Sequence, residues 1–77
     1  MVLAFYKKNE EFYKKHSKED CFLYPSDRDM IAEYTIMEAI DKPLIGDLVT
    51  IKGGIYKVFQ MMTDYDEKTV FAIVEVF

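Results

Sequence analysis

The sequence has no tryptophan, one histidine (His16), one cysteine (Cys21), three glycines and two prolines in 77 residues. One cysteine excludes an intramolecular disulfide. A structural zinc site takes about four cysteine or histidine ligands, and one of each does not supply it. Cys21 and His16 would serve as a nucleophile pair only if they met in space with a third, orienting group, and nothing in their setting provides one. The plainer reading is an exposed imidazole and a thiol acting as a small hydrophobe. No apolar run is long enough to span a membrane, and the start has no secretory-leader pattern. Together with the lone thiol, these absences lead us to expect a cytosolic protein.

Half of the residues are hydrophobic (51%) and 16% are aromatic, so the composition is that of a folding chain rather than a disordered one. The length sets a single domain, residues 1–77. A chain of this size buries only roughly 60% of its unfolded surface, and such scaffolds commonly lean on a disulfide, a metal or a second chain. With the first two excluded, a protein partner, or a second copy of the chain, is the expected support. The net charge of −4 opposes tight binding to phosphate backbones, which draws its affinity from released counterions. Lys7, Lys8, Lys14, Lys15 and Lys18 do gather early, but Glu10, Glu11, Glu19 and Asp20 are interleaved with them, as on a solvated face.

The clearest local signal is the stretch 45–61, I-G-D-L-V-T-I-K-G-G-I-Y-K-V-F-Q-M: two short strands about a Gly53-Gly54 turn, entered through a Gly46-Asp47 corner. Strands are expected over 47–52, 55–63 and 69–77, with a turn at 64–68, forming an antiparallel meander. Residues 1–6 (M-V-L-A-F-Y) read as another strand. From Asn9 to Ser17 a short helix is expected, with Asn9 as its cap and Glu10/Lys14 and Glu11/Lys15 pairs along it. Residues 22–24 make a very short apolar piece stopped by Pro25. The stretch 30–40 fits both a helix begun at Ser26 and a strand; β-branched and aromatic residues at its centre favour the strand.

The acidic turn 64–67, with Glu75 twelfth from Asp64, resembles a calcium loop only superficially, because lysine falls at its fifth position and threonine where glycine is required. Gly53-Gly54 lacks the lysine and helix of a phosphate loop. Glu33 and Glu38 point apart on either a strand or a helix, so they form no acid–base couple.

A half-buried antiparallel strand should alternate apolar with polar. The last strand instead has Val70, Ala72, Val74 and Val76 on one side and Phe71, Ile73 and Phe77 on the other. The preceding one has Tyr56, Val58 and Met62 against Phe59 and Met61. Either the N-terminal segment covers the second face, or that face meets another molecule.

The pattern Gly46, Asp47, Val49, Ile51, then Gly53, Gly54, Tyr56 and Val58, with a closing valine-rich strand, resembles that of small SH3-like β-barrels. Such barrels occur as RNA- and ribosome-associated KOW-type domains, as peptide-binding modules and as accessory proteins of phages and mobile elements. This chain departs from the KOW type in having Ile55-Tyr56-Lys57 after the turn and an acidic balance. It departs from the proline-peptide binders in lacking tryptophan. Nine lysines to one arginine is compatible with a phage or mobile-element source. The resemblance implies a mainly β (β-rich α+β) fold, a small SH3-like antiparallel barrel with a short N-terminal helix. The expected function is a non-enzymatic protein-interaction module that binds another protein or a second copy of itself through the apolar face of its C-terminal strands, with Phe59, Met61, Phe71, Ile73 and Phe77 as contact residues. The alternative is a nucleic-acid-associated accessory protein using Lys7, Lys8, Lys14 and Lys15 with Tyr6 and Tyr13. No cofactor, metal or membrane is part of either reading.

Overall fold

A computed structural model describes residues 1–15 and 29–77, with the backbone alone at Tyr13. The expected apolar piece at 22–24, the helix start at Ser26, and both His16 and Cys21 lie outside the described residues. Strand β1 (Val2–Lys7) is followed by helix α1 (Glu10–Tyr13), β2 (Met30–Thr35), a 3₁₀ turn (Ala39–Asp41), and then β3 (Leu48–Ile51), β4 (Gly54–Asp64) and β5 (Thr69–Val76). The strands form one sheet in the order β2-β1-β5-β4-β3, nearly closed into a barrel. The fold is mainly β with a short N-terminal helix.

The central places of β1 and β5 explain their apolar residues on both sides. β1 pairs antiparallel with β2 (Leu3 opposite Tyr34) and parallel with β5 (Leu3 beside Val70, Phe5 beside Ala72). The other ladders are antiparallel, so the expected meander of β3, β4 and β5 is extended to β1 by one parallel contact. Leu3, Phe5, Ile51, Val58, Val70, Ala72 and Val74 make the inner core. The residues that alternate with these along β1 and β5, Ala4, Tyr6 and Ile73, form a second buried cluster on the outer face, with Phe59, Met62 and Phe71 packed against it. A strand buried on both faces has no need of polar alternation.

Local chemistry sets the turns. The β3–β4 hairpin closes at Ile51 opposite Gly54, so its two loop residues are Lys52 and Gly53, one position earlier than the expected Gly53-Gly54. Both loop residues have positive φ (49° and 82°), the pattern of a type I′ turn, whose twist matches that of the strands. Gly54 instead begins β4. At the β4–β5 turn, Asp64 Oδ1 accepts from the backbone N–H groups of Asp66 (3.0 Å) and Glu67 (3.1 Å), so this carboxylate holds a turn. Helix α1 is shorter than expected. Asn9 Oδ1 does cap it, accepting from Phe12 N–H at 3.2 Å, but Lys14 reaches Glu11 (3.1 Å) rather than Glu10, while Glu10 meets Lys8 (3.6 Å).

The stretch 30–40 is a strand only as far as Thr35. Ala32, opposite Phe5, and Ile31 pack on the inner core, and Tyr34 sets its ring edge-on to Phe5 at 5.8 Å. Beyond Thr35 one more pair prolongs the β1–β2 register: Ile36 N–H donates to Met1 O (2.9 Å), and the N-terminal ammonium of Met1 donates to Ile36 O (2.9 Å). After it the chain turns away towards the 3₁₀ turn at Ala39–Asp41.

Candidate interaction surface

The five expected contact residues do not share one open face. A β-bulge at Phe59 is the cause: Val58 pairs with Val74, but Gln60 pairs with Ile73, which leaves Phe59 as the extra residue. A bulge inserts one residue and reverses the parity of everything after it. Met61 therefore turns inward, opposite Ala72 and against the inner core, while Met62 takes the outer place opposite Phe71. The grouping of Met61 with Phe59, read from strict alternation, is corrected on this ground. Ile73 is buried at 4% exposure and Phe71 and Phe59 are half-buried. The Phe71 ring lies 5.9 Å from that of Tyr6, and the Lys8 ammonium sits 4.3 Å over the Phe59 ring. Phe77 alone of the five is exposed, at 73%. The outer face of β1, β4 and β5 is thus largely covered within the chain.

Exposed apolar surface gathers elsewhere, on the connection between β2 and β3. Met37 (89% exposed), Ile40 (82%), Leu44 and Ile45 lie on it, and Leu48 opens β3. This connection is firmly held. Asp41 Oδ2 accepts from Glu38 N–H (3.0 Å), and Lys42 N–H donates to Ala39 O (3.3 Å), which closes the 3₁₀ turn. Lys42 Nζ reaches Thr63 Oγ1 on β4 (3.3 Å). The Gly46-Asp47 corner foreseen in the sequence is a β-turn in which Asp47 N–H donates to Leu44 O (3.0 Å) and Asp47 Oδ2 accepts from Leu44 N–H (2.9 Å). Gly46, at φ 95°, takes a conformation that other residues resist. Its N–H donates to Val58 O (2.8 Å), and Val58 N–H donates to Asp47 O (2.9 Å), fastening the corner to β4.

Most polar side chains of the connection therefore hold its own backbone or bind β4, while the large aliphatic ones project outward. That is the reverse of an ordinary surface loop. Between the connection and β4 lies an open recess lined by Lys42, Pro43, Leu44, Ile45 and Met61. Met61 thus joins this surface from the inner side of the sheet, where alternation alone would not have put it. The signal available in the sequence was the number of aliphatic residues between Ile36 and Leu48, spaced by neither a strand nor a helix period.

The residues of the nucleic-acid reading are dispersed. Tyr6 is buried at 6% exposure and cannot offer its face to a base. Lys8 lies between Glu75 (3.4 Å) and Glu10 (3.6 Å), and Lys14 pairs with Glu11. Lys7 and Lys15 are exposed, and the Tyr13 side chain lies outside what is described. Among the described residues no three histidine, cysteine, aspartate or glutamate side chains gather as a metal site would require, and no helix is long and apolar enough to cross a membrane.

The fold and this surface define a small, nearly closed β-barrel domain that displays an anchored apolar loop. Comparisons with protein-family models, with curated proteins and with solved structures found no match to the chain.

Proposed function

We propose that this chain is a non-enzymatic protein-interaction module whose contact surface is the β2–β3 connection and the recess behind it. One observation carries the reading: Met37, Ile40, Leu44 and Ile45 are all more than half exposed on a segment whose backbone is tied down at both ends. Leaving aliphatic area in water costs about 25 cal/mol per Å², so a rigid loop that displays several such side chains is suited to burying them in a complex. The lone cysteine agrees with a reducing compartment, and we take the cytosol as the setting.

The test is the double substitution Ile40→Ser with Leu44→Ser. A contact surface does not support the fold, so the urea midpoint should stay within about 0.3 M of wild type. A fall of more than about 2 kcal/mol in stability would mean that these side chains serve the core, and the reading would fail. Light scattering over a wide concentration range then decides whether the partner is a second 9.1 kDa copy or another protein.

A further inference from the structure

Resting on that reading, we infer that the surface takes a basic protein segment bearing an apolar anchor residue, and not a second copy of this chain. The charge around the loop carries the inference. Glu38, Asp41 and Asp47 are exposed on it; its one cation, Lys42, is half-buried with its ammonium on Thr63 Oγ1, and Lys57 is exposed on β4 opposite Leu48, so acidic groups outnumber basic ones by three to two. Asp41 and Asp47 each accept a backbone N–H through Oδ2. A two-fold self-interface sets a patch against itself, so two surfaces of the same net negative charge would meet. Like charges brought together across an interface oppose association, whereas lysine or arginine flanking an apolar side chain would be drawn to the same surface. The recess of Lys42, Pro43, Leu44, Ile45 and Met61 is concave and mostly apolar, the form that receives one aliphatic or aromatic anchor. Anionic lipid headgroups would be repelled by the same carboxylates.

The experiment uses the full chain and two synthetic amphipathic helical peptides with the same leucine face, one with lysine and one with glutamate on its polar face. Binding is read by fluorescence anisotropy and located by backbone amide shifts. The leucine–lysine peptide should bind and shift Ile40, Leu44, Ile45 and Met61. Affinity should fall at least about tenfold with Ile40→Ser plus Leu44→Ser, a charge-neutral change that separates docking from bulk attraction to an acidic protein. Added salt should weaken binding without abolishing it. Equal binding of the leucine–glutamate peptide at these residues would overturn the charge argument and leave the interaction reading standing. Shifts confined to other surfaces, with the serine variant unaltered, would overturn both. A dimer buried through Ile40 and Leu44 would replace the basic segment by a second copy. Cosedimentation with phosphatidylcholine–phosphatidylglycerol vesicles that Ile40→Ser abolishes would replace it by a membrane.

Discussion

Phe71→Glu puts a carboxylate where a half-buried ring now packs on Tyr6 at 5.9 Å, beside Ala4 in the parallel register and opposite Met62. Its cluster mates Ala4, Tyr6 and Ile73 are 2%, 6% and 4% exposed, so water reaches little of this face. Full truncation of a buried phenylalanine costs ~3–5 kcal/mol, and a half-buried one about half of that. Partial desolvation of the new charge adds roughly 1–2 kcal/mol. The sum, about 3–4 kcal/mol, compares with a total stability of roughly 4–11 kcal/mol for a domain of this length. Urea unfolding followed by far-UV circular dichroism, with m about 1 kcal/mol/M, should show the midpoint lowered by about 3 M. Phe71→Leu keeps the variant measurable if glutamate unfolds the chain outright, and should lower the midpoint by about 1 M. A midpoint for Phe71→Glu within about 0.3 M of wild type, accompanied by lost association, would refute the covered face and return the interface to β4 and β5.

Val74→Ala removes two methyl groups from a site of 0% exposure and should cost about 2–3 kcal/mol, whereas Val76→Ala, at 65% exposure on the same strand, should cost less than about 0.5 kcal/mol; calorimetry on both measures the gradient along β5. Gly46→Ala and Gly53→Ala meet no atom within 4 Å, so any loss comes from positive φ alone, ~1–2 kcal/mol each by denaturant titration. Lys8→Met keeps the apolar stem but loses the contacts to Glu75, Glu10 and the Phe59 ring; it should destabilise by about 1–2 kcal/mol and make stability less sensitive to added salt.

What could be read from the sequence was local. The Gly46-Asp47 corner, the Asn9 cap, the three C-terminal strands and the two-sided apolar character of residues 1–6 and 69–77 all follow from backbone preferences and side-chain order within a few neighbours. These features determined a β-rich domain with strands apolar on both faces, and left open whether the second face was covered by the chain or met another molecule. Tertiary structure decided the rest, because it depended on which distant segments met. The parallel contact of β1 with β5 joins residues far apart in the chain. It brings Ala4 and Tyr6 together with Ile73 in a second buried cluster on the outer face. The bulge at Phe59 exchanges the faces of Met61 and Met62, and strict alternation cannot foresee an inserted residue. Lys52 and Gly53 form the hairpin turn because pairing of Ile51 with Gly54 sets the register, while composition alone favoured two adjacent glycines. The apolar loop of 37–48 was visible as letters, but its exposure was not. Once Asp41, Lys42 and Asp47 engage the backbone and β4, Met37, Ile40, Leu44 and Ile45 are left exposed around them.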